Sequence, residues 1–218
     1  AVSTRRSLSV ESVNDLGRLD PLGIEQVVGE ASPLIRNADE LHDVLLTRIV
    51  VPVDELAEFE SLFKELALVR RAARLTVTGD ASFEAVVAAE RLPAARTMFP
   101  DAMLSPVIEA PEGVRTAWND VDARIATIRG LMEVSGPQTA EEVARRTGTT
   151  DRQAFASLEA LEGEGIVLRG KFRESRKVEG DLRETSSSSV EWCHRRLLAR
   201  IHRVTMDGLR RQIQPVKP

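Results

Sequence analysis

Apolar positions recur every three and four residues along most of this chain, which is the spacing of one side of an α-helix. In the last segment, 191–214, they form one continuous side made of Leu198, Ile201, Thr205, Leu209 and Ile213. Four arginines follow the same spacings on the opposite side, at Arg196, Arg200, Arg203 and Arg210. The pattern predicts an amphipathic helix that packs through one side and presents guanidinium groups on the other.

The N-terminal part of the chain predicts helices of ordinary length. Glycines and prolines interrupt residues 1–36, which favours an irregular segment with one short helix near 22–30. A helix capped by Asn37 or Asp39 is then predicted to continue to Val50, where Pro52 would end it. A second helix is predicted to begin near Asp54.

The pattern then changes from helical spacing to that of strands. Residues 75–78 and 83–87, joined by a turn at Gly79 and Asp80, are typical of a β-hairpin. A short helix is predicted over 89–98, with Pro93 near its first turn. Three prolines and a glycine in 100–117 favour a linker there.

The second half begins with an amphipathic helix over 118–134. Thr139 and Glu142 have the spacing of a capping box, which predicts a short helix over 140–147. A third helix over 151–162 and a strand over 166–172 follow. This order of elements is typical of a winged helix, with the third helix in the recognition position of a helix-turn-helix.

The helices and hairpin of the first half repeat this outline more loosely. We therefore predict an α+β, helix-rich fold with two winged-helix-like modules in tandem. The first module would cover 37–99 and the second 118–218, after the irregular segment 1–36 and with the linker 100–117 between them. The wing of the second module would be long, from about Gly170 to Val190, with a serine-rich tip.

The charge of the chain is unevenly distributed. Residues 1–168 contain 17 basic and 28 acidic residues, whereas residues 169–218 contain 13 basic and 6 acidic residues. A basic C-terminal quarter on an acidic body indicates either a nucleic-acid surface or docking on an acidic neighbour.

Two groups of basic residues in this quarter are candidates for contacting phosphates. The wing contributes Arg169, Lys171 and Arg173, and the last helix contributes Arg195, Arg196, Arg200, Arg203, Arg210 and Arg211. Guanidinium groups donate paired hydrogen bonds to phosphate oxygens, so one positive surface would bind nucleic acid without reading its sequence. The alternative is a solvated helix face beside a mobile loop.

The third helix of the second module is a weaker candidate for reading bases. It offers Arg152, Gln153 and Ser157, but Glu159 and Glu162 would repel the phosphates beside a groove. A role in packing is the better interpretation of this helix.

Several activities lack the residues that they require. A single cysteine, Cys193, excludes an internal disulfide and a multi-cysteine zinc site. Asp39-Glu40-Leu41-His42 has the letters of a helicase DExH box but begins a helix rather than following a strand. The chain also contains no GxxxxGK[ST] phosphate loop. No apolar stretch approaches the length of a membrane span, and we expect a cytoplasmic location and no membrane partner.

Several motifs of this sequence resemble the large helicase-related (Lhr) family of ATP-dependent helicases. The main one is Glu191-Trp192-Cys193-His194-Arg195-Arg196-Leu197-Leu198-Ala199-Arg200-Ile201-His202-Arg203, continued by 209–216. Weaker matches are 38–43, 89–93 and 167–172, and the resemblance covers about 34–218. The Ser-rich segment 174–189 is longer than the family pattern.

The resemblance implies a fragment of the C-terminal region of a superfamily 2 helicase, in which ATP and Mg²⁺ would bind only to the motor domains outside this fragment. Lhr proteins translocate on single-stranded DNA and unwind duplexes, including RNA:DNA hybrids. We therefore expect a non-catalytic accessory role in DNA repair, in contact with single- or double-stranded DNA and the rest of the helicase. The alternatives are a winged-helix scaffold that self-associates without contacting DNA, or a non-catalytic part of an AlkZ-like glycosylase region.

Overall fold

A computed structural model describes residues 19–79, 82–114, 117–173 and 190–212. Helix α1 spans Pro21–Ala31 and α2 spans Ala38–Arg48. Strand β1 (Val50–Pro52) leads into a 3₁₀ helix, Asp54–Phe59, and then α3, Glu60–Leu68. Strands β2 (Ala72–Val77) and β3 (Phe83–Ala88) form the expected hairpin. A 3₁₀ turn, Ala89–Arg91, is followed by α4 (Leu92–Met98) and strand β4 (Met103–Ser105).

Helix α5 spans Asp120–Met132 and is followed by β5, Gln138–Thr139. Helices α6 (Ala140–Thr147) and α7 (Asp151–Gly163) come next. Strands β6 (Val167–Gly170) and β7 (Glu191–His194) precede the last helix, α8, Arg195–Gln212. The prediction of an α+β, helix-rich fold is confirmed.

Side-chain hydrogen bonds cap several helix starts. The predicted caps at Asn37 and Thr139 are confirmed. The helix predicted from 118 begins at Asp120, and the segment predicted as a helix from Asp54 begins as a 3₁₀ helix. The Asn37 side chain accepts from the amide of Glu40, and Asn119 does the same for Asp122. Thr139 and Glu142 form a complete capping box at α6, as Thr150 and Gln153 do at α7. These side chains satisfy amides that have no partner within the helix, which fixes where each helix begins.

Two antiparallel sheets organise the chain. The first has the order β1-β3-β2-β4 and is buried on both faces, by α2 and α3 on one side and by α4 and α5 on the other. The second has the order β5-β7-β6; Trp192 packs on its α5–α7 side, and Cys193 faces α1 and α8 on the other. The first and last described helices therefore pack together on the same face of this second sheet.

The segment 100–117, which the sequence favours as a linker, is part of the first half of the fold. Strand β4 pairs with β2 at Arg74–Thr76, and Ile108 is buried in the same core as Ala123 of α5. Helix α5 also supplies Ile128 to the core of the second half. The prolines bend this segment without separating the two halves, because its apolar side chains find a place in the core.

The prediction that the last helix begins at Glu191 is wrong, since residues 191–194 are strand β7. Trp192 and Cys193 are both buried, on opposite faces of the sheet. Burial on both faces hides the period of two that normally marks a strand, so the segment resembles a helix start. Strand β7 lies in the middle of the sheet and pairs with β5 and β6.

Among the described residues, no helix is both long and apolar enough to cross a lipid bilayer.

Candidate nucleic-acid interface

Helix α8 has a packed and an exposed side over 195–205. Of the predicted packed residues, Ile201 and Thr205 are buried and Leu198 is half-buried, while the side chains of Leu209 and Ile213 lie outside the described residues. Leu197, Ile201 and Thr205 are buried against α1, where Thr205 Oγ1 accepts a 3.1 Å hydrogen bond from the Asp20 amide. On the outward side, Arg196, Arg200, Arg203 and Arg210 are exposed. The helix is thus held from one side and leaves the other open to solvent.

Arg196 and Arg203 keep their charge available. In the part of the chain that the structure describes, neither side chain has a carboxylate within ion-pair distance. The neighbouring Arg195 is exposed; its guanidinium donates to the carbonyl oxygen of Gly165 at 3.4 Å and forms no ion pair with a described residue. These three cations at the exposed start and middle of α8 are the strongest candidates for contacting an anion.

The other two arginines of the same side are ion-paired. Arg200 donates to Glu30 of α1 at 2.6 Å, and Arg210 lies 3.5 Å from Asp207. Asp207 stands within the arginine stripe, three positions before Arg210, and reduces its positive charge at that end. All four side chains are about half exposed or more, so a phosphate could replace the carboxylates at little cost.

Arg169 of β6 is bound within its own module. Its guanidinium contacts Glu159 at 3.1 Å and Glu162 at 2.7 Å, both on α7. It also lies 5.2 Å from the centre of the Trp192 ring. The hydrogen bonds that Arg169 donates to Glu159 and Glu162 raise the pKa of Arg169. The acidic side chains that argue against base reading by α7 therefore neutralise the wing arginine beside it.

Arg173 is held by two further carboxylates. It donates to Glu142 of α6 at 2.6 Å and to Glu191 of β7. The hydrogen bond with Glu142 raises the pKa of Arg173; burial alone would raise the pKa of Glu142, but the hydrogen bonds from Arg173 and Thr139 lower it. Buried Glu191 also accepts the amides of Phe172 and Arg173, at 2.6 and 2.9 Å. Arg173 fixes the start of the wing segment and has little capacity left for phosphate.

The remaining predicted cations are placed in different ways. Lys171 is exposed, and no ion pair involves it in the described ranges. The backbone of Arg211 belongs to α8, but its side chain lies outside the described residues, as does the wing segment 174–189. The hypothesis of one positive surface shared by wing and helix stays a prediction. Among the described residues, some basic side chains of this predicted surface are paired with carboxylates of the same chain, and others form no ion pair.

The histidine and cysteine beside these arginines have structural surroundings. Burial lowers the pKa of His194, whose Nδ1 accepts from the Arg196 amide at 3.3 Å. Burial raises the pKa of the Cys193 thiol to about 12, so it is not a nucleophile at neutral pH. Among the described residues, no three His, Cys, Asp or Glu side chains are grouped to hold a metal ion.

Sequence reasoning missed one ionic cluster, formed by Arg48, Glu55 and Arg146. Glu55 accepts from Arg48 at 2.6 Å and from Arg146 at 2.7 and 3.0 Å, and Arg146 also donates to Ser135. The cluster joins the first half of the fold to the second. No short motif marks it, since Glu55 and Arg146 are 91 positions apart.

Comparisons with models of known protein families and with curated proteins found no match to this chain.

Proposed function

We propose that this chain is a non-catalytic accessory part of an Lhr-type helicase that contacts the phosphates of a nucleic-acid strand through the exposed side of α8. The observation that carries the proposal is the position of Arg195, Arg196 and Arg203. All three are exposed on one packed helix, and none forms an ion pair with a described residue. Such cations can release counterions from a nucleic-acid backbone and gain affinity without breaking internal contacts.

The order of the strands supports winged-helix-like modules. In the second half, a helix, a strand, two helices and two strands give the sheet order β5-β7-β6. The first half has the same succession of elements, except that the 3₁₀ helix Asp54–Phe59 stands where α6 stands in the second half. Its first three strands have the matching sheet order β1-β3-β2, and β4 is an additional strand at the edge. Two units with one connectivity favour a tandem repeat, which agrees with the family resemblance.

Contact with the backbone is favoured over reading of bases. The exposed side of α7 presents Glu159 and Glu162, and Arg169 already binds both. We therefore expect little preference for sequence, and binding to single- or double-stranded DNA or to an RNA:DNA hybrid. ATP hydrolysis would belong to motor domains elsewhere in the helicase.

The test compares wild type with R196E/R203E in binding to fluorescein-labelled single-stranded and duplex DNA. We expect at least about tenfold weaker binding at low salt and a smaller dependence on salt, because two phosphate contacts are lost. The matched control is R36E/K64E, which makes the same change of net charge on exposed residues of the first half. An equal loss of DNA affinity in both variants, or no loss of affinity in R196E/R203E, contradicts the proposed surface.

A scaffold function is the second candidate, and one observation favours it. Strand β4 lies at the edge of the first sheet, and Met103 and the nearby Val107 are each about 60% exposed or more. An edge strand with exposed apolar side chains is a common site of self-association. Sedimentation would show a concentration-dependent dimer that M103E/V107E abolishes. A monomer at all concentrations excludes this function.

A further inference from the structure

A cavity in the described part of the chain lies where α1 and the two halves of the fold meet. Its volume is about 710 Å³, within the range of pockets that bind small molecules. Most of its wall is apolar, and the side chains that matter here are Ile24, Val28, Val44, Phe59 and Val134. A ligand with an apolar chain of roughly six to ten carbons would bury its surface against these side chains.

Charged side chains complete the wall: the carboxylates Glu25 and Glu58, and one ionic cluster. Arg48 and Arg146 both line the cavity together with Glu55, the carboxylate that binds them. The cluster has two positive charges and one negative charge. Arg173 also lines the cavity, but Glu142 and Glu191 more than match its charge. Because Glu25 and Glu58 add negative charge to the wall, the cavity as a whole does not attract anions. The favourable partners for an anion are Arg48 and Arg146, whose charge exceeds that of Glu55.

Arg48 is a buried residue with unpaired hydrogen-bond donors among the described residues. Its side chain is only 8% exposed, and one nitrogen, Nη1, donates to Glu55. Its Nε and Nη2 atoms are buried and find no acceptor among the described residues. Buried guanidinium donors are nearly always hydrogen-bonded, since leaving them unpaired is costly.

We propose that this cavity binds a small amphipathic carboxylic acid, with its apolar chain against α1 and Phe59 and its carboxylate at Arg48 and Arg146. Arg48 lines the cavity, and in the complex its Nη2 donates to the ligand carboxylate. The carboxylate also balances the excess positive charge of the cluster. This site is separate from the exposed side of α8 and does not depend on binding to nucleic acid.

The experiment measures binding of octanoate, octanol and acetate to the chain by calorimetry. Octanoate carries both the apolar chain and the charge, octanol only the chain, and acetate only the charge. We expect saturable binding of one octanoate per chain, at least about tenfold tighter than octanol, because a charge-assisted hydrogen bond is lost in the alcohol. Acetate should show no saturable binding.

Three variants locate the site. V28W fills the cavity and should abolish octanoate binding, whereas L22W, on an exposed position of the same helix, should not change it. R48M removes the excess charge and leaves the Glu55–Arg146 pair complete, so the variant should fold. It should bind octanoate no more tightly than octanol.

The proposal is overturned if octanoate does not saturate, if octanol binds as tightly to wild type, or if V28W binds octanoate as well as L22W does. Circular dichroism of each variant establishes that it is folded before its affinity is compared. Should R48M not fold, R146Q takes its place, with the same expected loss of preference for octanoate over octanol.

Discussion

Cys193 illustrates how burial determines the chemistry of a single residue. Its thiol packs between Leu19, Val27 and Ile201, on the face of β7 that α1 and α8 cover. Burial removes the water that would stabilise a thiolate, and the negative charge of Glu191 adds to the effect, so the pKa rises to about 12. A Trp-Cys-His sequence thus contains no nucleophile in this fold.

We predict that the folded chain does not react with Ellman's reagent at neutral pH, because the thiol is both protonated and inaccessible. Reaction should accelerate by about a hundredfold or more when denaturant unfolds the chain. Since Cys193 is the only cysteine, the absorbance change reports on it alone. The control is C193S/A199C, which places a thiol on an exposed position of α8 and should react at once. Rapid modification of folded wild type would contradict the buried position.

At the scale of elements, α2 and α5 join the two halves through a close backbone contact. Gly130 of α5 lies directly against the Thr47 carbonyl group of α2. A Cβ atom on residue 130 would overlap that oxygen, and a backbone oxygen cannot move away as a side chain can. The glycine therefore permits a distance between helices that other residues exclude.

We predict that G130A lowers the free energy of unfolding by about 2 kcal/mol or more, although alanine is the better helix former. The matched control is G163A in α7, where a Cβ atom meets nothing within 4 Å. This variant should be neutral or more stable by up to about 1 kcal/mol. Urea titrations of both variants measure the difference. Equal stability of G130A and G163A would show that α2 and α5 are not in close contact.

At the scale of the whole molecule, the Arg48–Glu55–Arg146 cluster couples the two halves of the chain. Burial alone would raise the pKa of Glu55, but hydrogen bonds from Arg146 and Arg48 outweigh it and lower the pKa to about 2. A carboxyl group whose pKa is lower in the folded than in the unfolded state stabilises the fold above the unfolded value of 4.5. This contribution is lost as the pH falls from there toward about 2.

We predict that acid weakens wild type more than E55Q. Between about pH 6 and about pH 3, the free energy of unfolding should fall less in E55Q, because the variant has no carboxylate at this position to protonate. At about pH 6, E55Q should already be less stable by about 2–4 kcal/mol, since the buried Arg48 and the partly buried Arg146 lose their anion. The control is E65Q, an exposed position on α3. An E55Q variant with the same pH dependence as wild type would refute the coupling.

Much of the candidate interface follows from the sequence of α8. The spacing of Arg196, Arg200 and Arg203 places them on one side, and the structure exposes all three. The wing differs, because Arg169 and Arg173 meet carboxylates from α6, α7 and β7. Spacing shows which side of an element a residue occupies, but it does not show which charges another element brings to that side.

The sequence by itself determined the local features: the capped starts of α2, α6 and α7, the hairpin of β2 and β3, and the two sides of α8. These features depend on hydrogen bonds and residue spacings within a few positions, so the local sequence alone specifies them. Only the tertiary structure decided that 191–194 form a central strand and that Arg200 binds Glu30, 170 positions away. Such contacts depend on how the cores bring distant segments together, because Coulomb and hydrogen-bond energies follow distance in space rather than separation along the chain.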